Sequence, residues 1–125
     1  MRELIFRGKT TRDGAWVISD SIIQHANGRV YLYDEVKDID IEVDPETIGQ
    51  FTGLTDKNGV NVIEGDIVKF GDIIGIINYS TGCYCVKTNK PDWRSRNNPA
   101  IDIVINEYPN EIEIIGNIYD NGDLL

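Results

Sequence analysis

The chain has little of the material from which chemical sites are usually built. Its 125 residues include two cysteines, one histidine and one methionine. Cys83 and Cys85 stand two positions apart, so in a strand their side chains share a face about 7 Å apart, a spacing that disfavours an intrachain disulfide. With no further cysteines to form a framework, the pair fits a reducing compartment and packed or half-exposed thiols. A structural zinc site needs about four ligands, and His25 is the single histidine, so one chain cannot complete one. Cations are the minority charge: 12 Lys and Arg stand against 21 Asp and Glu, a net charge of −9. That balance disfavours sequence-independent binding to phosphate backbones, whose affinity comes from basic side chains displacing counterions. No aliphatic run approaches a membrane span, and Arg2 and Glu3 follow Met1 where a signal peptide would carry its apolar region, so a cytoplasmic protein without membrane contact is expected. A phosphate-binding glycine loop, HExxH, GxSxG and a dinucleotide fingerprint are all missing, which leaves an enzyme reading without residues to stand on.

What is present is an ordinary globular composition, 41% hydrophobic and 26% charged, at a length suited to a single domain. Leu4–Phe6 and Ala15–Ile18 are apolar runs separated by turn-forming residues, which predicts a hairpin. Ile22–Ile23 and Val30–Tyr33 flank Asn27-Gly28, which predicts a second hairpin with a type I′ turn. From Lys37 to Asp44, Ile39, Ile41 and Val43 alternate with Asp38, Asp40, Glu42 and Asp44, the pattern of a half-buried strand with an acidic outer face. Asp44-Pro45-Glu46-Thr47 supplies an N-cap, a proline and a first-turn acid, and Gly49 and Gly53 restrict the result to a short helix.

Gly53 to Gly59 reads as a loop leading to the tight turn Glu64-Gly65-Asp66. Strands are expected over Ile67–Phe70, Ile73–Tyr79 and Cys83–Lys87, and again over Ile101–Ile105 and Glu111–Ile115. Thr88 to Ala100 is polar and proline-containing, which predicts a long surface loop. The rhythm of short strands and close turns predicts a mainly β chain. Its expected form is a small antiparallel, barrel-like core resembling SH3-like barrels, with additional N-terminal hairpins and one short helix. One domain over residues 1–125 is expected, with a hairpin lobe over 1–46 and the barrel-like core over 47–120.

Three stretches stand in order: Ile48-Gly49-Gln50-Phe51-Thr52-Gly53-Leu54-Thr55-Asp56-Lys57-Asn58-Gly59, Ile63-Glu64-Gly65-Asp66-Ile67-Val68, and Ile115-Gly116-Asn117-Ile118-Tyr119-Asp120. With the opening Arg2 to Arg7, this set resembles the YopX family of phage and prophage proteins over nearly the whole chain. The Thr88 to Ala100 loop and Asp123 depart from the family pattern. The resemblance implies a protein of a bacteriophage or integrated prophage, with a mostly β fold and no established activity, and it brings no catalytic residues. Read physically, Phe51, Leu54, Ile63, Ile67 and Val68 suit a core.

The residues that stand out chemically have plain alternatives. Asp38 to Asp44 offers carboxylates, but along a strand they form a line and not the sphere a hard cation needs, so a solvated face is expected. Glu64 and Asp66 can be drawn as a general acid and base, or as turn acids that receive backbone N–H groups. Lys87, Lys90, Trp93, Arg94 and Arg96 form the basic and aromatic cluster of the chain. Of these, Trp93, Arg94 and Arg96 are the expected protein-binding residues, because Trp and Arg anchor interfaces. The expectation is a non-enzymatic accessory protein of the bacterial host cytoplasm that binds protein, either a host factor or its own copies in a homo-oligomer. No cofactor, no metal and no catalytic residue is expected. The alternatives are nucleic-acid binding through the 87–96 segment, DNA mimicry by the acidic surface, and a carboxylate-dependent hydrolase.

Overall fold

A computed structural model describes residues 4–80, 83–88 and 111–124. The chain divides into two compact units, Met1–Phe51 and Thr52–Leu125.

In the first unit, β1 (Phe6–Lys9) pairs antiparallel with β2 (Trp16–Ser19), Phe6 opposite Ser19 and Lys9 opposite Trp16. A second antiparallel set, β3 (Ile22–Gln24), β4 (Val30–Asp34) and β5 (Ile39–Val43), forms a three-stranded sheet in that order. The alternation of β4 sends Val30 and Leu32 to one face, where they join Val43 in the core and meet Phe6, Val17 and Ile48. Gly8 lets β1 approach Val43 closely: a Cβ there would stand 3.1 Å from the Cβ of Val43, so a larger residue would need Val43 to shift by a few tenths of an ångström.

Both expected hairpins form, but the second turn is not type I′. Gly28 N–H donates to the His25 carbonyl and His25 N–H to the Arg29 carbonyl, so the loop has three residues, with Gly28 at φ +89° as its left-handed member. Type I′ would need positive φ at Asn27 too; Asn27 instead accepts the Arg29 N–H on its side-chain oxygen. Burial of β5 is graded instead of alternating: Ile39 is exposed, Ile41 half-buried and Val43 fully buried, since the strand runs out beyond the small core. The short helix is one 3-10 turn, Pro45–Thr47, capped by the Asp44 carboxylate on the Glu46 N–H at 3.1 Å.

β6 (Gly49–Thr55) runs across the boundary between the units. Its start pairs with β1 in the first unit, and its continuation belongs with β7 (Asn61–Ile63) in the second. The expected loop from Gly53 is thus strand as far as Thr55; Gly53 sits within it at φ +90°. The turn after it repeats the His25–Arg29 arrangement, Gly59 N–H bonding to the Asp56 carbonyl and Asp56 N–H to Val60.

The rest of the second unit is a four-stranded antiparallel sheet. β8 (Asp66–Phe70), β9 (Ile73–Ser80) and β10 (Cys83–Thr88) form the expected meander, and β11 (Glu113–Asn117) returns beside β8 with a bulge between Ile114 and Gly116. Val62, Val68, Phe70, Ile73, Ile77, Tyr84, Val86 and Ile112 make its core. Burial is the reason these β-branched and aromatic residues hold strands together, each fully buried side chain contributing about 1.5–3 kcal/mol.

Among the described residues no sheet closes into the expected barrel. The sheets are open, ordered β2-β1-β6-β7, β10-β9-β8-β11 and β3-β4-β5. Closure requires the first and last strands of a sheet to pair, whereas among the described residues β10 pairs with β9 alone and β11 with β8 alone. The expected loop beyond Thr88 and the strand over Ile101–Ile105 lie outside the described residues. Among those described, no helix is long and apolar enough to cross a membrane.

Candidate functional site

Trp93, Arg94 and Arg96, and Lys90 with them, lie outside the described residues. The acidic alternation of β5 stays a line of side chains, and among the described residues no group of three or more His, Cys, Asp or Glu is placed to hold a metal ion. His25 packs edge-on against Tyr31, ring centroids 4.9 Å apart, at the base of its hairpin. Cys83 and Cys85 form no disulfide; the first is exposed and the second buried, and their side chains lean together so that the sulfurs stand 3.4 Å apart, closer than the strand repeat suggests.

Two buried carboxylates of the second unit, Asp66 and Asp56, accept from backbone. Asp66, 1% exposed, accepts the Ile63 N–H at 2.8 Å and so closes the Glu64-Gly65 turn. Asp56, 7% exposed, accepts three main-chain donors: Asn58 at 2.9 Å, Val60 at 3.0 Å and Ile114 at 3.1 Å. Burial pushes its carboxyl up, but the N–H groups of Ile114, Val60 and Asn58, with Lys57 beside it, outweigh that and hold it below the usual carboxylate range. The turn at Asp56 is thereby tied to β11, and a Lys57 to Glu113 ion pair at 3.7 Å lies alongside.

The concave feature of the first unit is an open groove of about 1130 Å³, bordered by Leu4 and Ile5, by β2 with Asp20, and by the end of β4 with its turn. Three apolar side chains stand in it largely bare: Leu4 is 60% exposed, Ile18 64% and Val36 96%. One end is fixed by Ser19, whose hydroxyl donates to the Tyr33 carbonyl at 2.7 Å and accepts the Ser21 N–H at 3.0 Å. The charged lining residues are Asp20, Asp34 and Glu35, all acidic. Arg7 and Lys9 approach the groove only as far as the ring of Trp16, 4.9 and 5.3 Å from its centroid, and do not line it. Tyr33 donates its hydroxyl to Asp38, and this bond, with the burial and the acids around it, raises the phenol above its ordinary pKa.

The residues of β2 border this groove, and the phase of its main chain follows from its pairing with β1. Lys9 turns its polar groups away from β2: its N–H donates to Thr47 Oγ1 at 2.9 Å and its carbonyl accepts from Asp44 at 2.8 Å. The Lys9–Trp16 pair is therefore a non-hydrogen-bonded one, and by the antiparallel alternation so is Arg7–Ile18. The N–H and carbonyl of Ile18 consequently point off the outer edge of the sheet, where β2 is the terminal strand. Sequence reasoning missed this groove. Its signal was the outward phase of Trp16 and Ile18 in a strand whose inward residue, Val17, already meets the core.

The family model described as YopX protein matches residues 5–125. No curated protein matches the chain.

Proposed function

The chain belongs to the YopX family, and from that membership and the groove beside β2 we propose a non-enzymatic β module, encoded by a phage or prophage, that works by binding another protein inside the bacterial cell. The observation that carries this reading is the set of bare apolar side chains, Leu4, Ile18 and Val36, gathered in one concavity. Scattered exposed apolar residues are ordinary on a soluble protein, whereas a gathered patch rimmed by polar residues marks an interaction surface. The carboxylates of Asp56 and Asp66, by contrast, are spent on holding turns. Trp93, Arg94 and Arg96 remain proposed as a second contact, on their composition.

The test is affinity capture from host cells with the tagged full-length chain, read by quantitative mass spectrometry. Ile18→Asp with Val36→Asp places two charges in the groove at exposed positions that the fold does not use. The expected result is loss of a reproducible partner with the far-UV spectrum unchanged. A set of partners identical for the wild type and the double variant would remove the groove from this role.

A further inference from the structure

The groove lies at a terminal strand and combines bare apolar side chains with acidic charge in its lining, and these features together specify what it takes. We propose that the occupant is an extended, basic and apolar segment of a partner protein, which adds as a strand to the outer edge of β2. This deepens the reading of the groove as a protein-binding site and rests on it.

Three observations lead to that chemistry. The outward N–H and carbonyl of Ile18 lie on a terminal strand, and unpaired strand edges template the addition of another chain. Natural edges are commonly guarded by lysine, proline or a bulge, whereas Trp16–Ser19 contains neither lysine nor proline and keeps an unbroken register with β1. Next, all four residues of β2 border the groove, Trp16 and Ile18 in the phase opposite to the core-packed Val17 and with Ile18 exposed. An added strand therefore finds apolar contact for alternate residues, over about 13 Å for the four residues of β2. Finally, Asp20, Asp34 and Glu35 supply the charge in the lining, on a chain of net charge −9. Such a field attracts lysine and arginine, speeds their encounter and turns acidic segments away. A helix would use the apolar contacts but leave the edge groups of Ile18 unanswered. A second copy of the chain would bring the same net negative charge to the rim.

The experiment measures fluorescence anisotropy of a labelled peptide alternating Lys or Arg with Val or Ile, titrated with the full-length protein. A peptide with Glu in place of every basic residue serves as the control. Two variants separate edge from rim. Ile18→Pro removes the outward N–H, a change that edge strands tolerate. Asp20→Asn with Glu35→Gln removes two rim charges at exposed positions and leaves the main chain alone. Circular dichroism checks the fold of each.

Expected are binding of the basic peptide in preference to the acidic one, affinity falling with added salt, and loss of binding in Ile18→Pro. The rim variant should bind about fivefold to tenfold more weakly, with a flatter salt dependence. Equal binding of both peptides, or of the basic peptide to all three proteins, overturns the proposal. So does self-association of the chain by light scattering that Ile18→Pro abolishes, since the occupant is then a second copy. If neither peptide binds while Ile18→Asp with Val36→Asp still loses its captured partner, the partner chemistry is wrong and the groove reading stands. If the captured partners are also unchanged, both fall.

Discussion

Replacing Asp56 by asparagine keeps the size of the side chain and removes its charge, and the cost is set by the three main-chain donors that the carboxylate serves. In the wild type one carboxylate oxygen accepts Asn58 and Val60 N–H and the other accepts Ile114 N–H, fifty-eight positions further along the chain. Asparagine offers one acceptor oxygen. If that oxygen keeps the turn, the amide NH₂ faces the Ile114 N–H, donor against donor, at a buried position. A hydrogen bond to a charged group contributes about 1.5–3 kcal/mol, and stranding a buried donor costs about 1–3 kcal/mol. With the weaker neutral bonds retained at the turn, Asp56→Asn should destabilise by about 2–4 kcal/mol at neutral pH. In a cooperative unit of this size class that lowers Tm by on the order of 10–20 °C. The pH dependence supplies a second test of the same cause. The folded pKa of Asp56 lies below its unfolded value, so its contribution is complete above the unfolded pKa and is lost as pH falls through the folded one. The gap between wild type and Asp56→Asn should therefore be constant from neutral pH down to the ordinary carboxylate range near 3.8 and close below it. Chemical denaturation of both proteins across that range is the assay. A gap under about 0.5 kcal/mol at neutral pH, within the ordinary spread of surface substitutions, would refute the reasoning. So would a gap that acid leaves untouched.

Two glycine substitutions and one core truncation extend the test. Gly75→Ala should cost about 1–3 kcal/mol, because the new Cβ would stand 2.4 Å from Val86 Cγ1 and 3.2 Å from the Lys87 carbonyl oxygen; Val86→Ala in the same chain should return part of the loss in a denaturant titration. Gly28→Ala has open space around it yet holds φ +89°, so its cost should be about 1 kcal/mol and insensitive to any neighbour. Leu32→Ala, at a fully buried site, should destabilise by about 2–5 kcal/mol. Hydrogen exchange should report that loss in β4 and β5, whose ladder Leu32 shares with Ile41.

Much of the fold was legible because its signals are local. The meander from Ile67 to Lys87 is bounded by Gly71-Asp72 and by a second turn signal, and its apolar runs leave no other period. β6 was less legible: Gly49 and Gly53 are breakers in any reading of propensity, yet the strand absorbs one as a buried residue and the other at a positive φ. The type I′ turn at Asn27-Gly28 failed for a related reason. The dipeptide signals a hairpin, but where the turn begins depends on which flanking residues pair, and His25 pairs with Arg29. Barrel closure was beyond the sequence altogether. Alternation states which face of a strand is buried, and an open sheet and a closed one bury the same residues.

The groove was hidden by that same gap between faces and edges. Ala15-Trp16-Val17-Ile18 is apolar throughout, so as a run it announces a buried strand, and nothing in its composition reveals that Ile18 stands in the open phase. The outcome is decided by three contacts elsewhere. Val17 and Phe6 take the inner face against Val43, which directs Trp16 and Ile18 outward. Lys9 spends its main-chain groups on Thr47 and Asp44, which sets the hydrogen-bonding phase of β1 and hence of β2. Ser19 donates its hydroxyl to the Tyr33 carbonyl where β2 stops, and β2 is the terminal strand of its sheet. None of these residues borders the proposed partner's strand with a charge, and none would be singled out as functional, yet shifting the phase by one residue would bury Ile18 and point its N–H at β1.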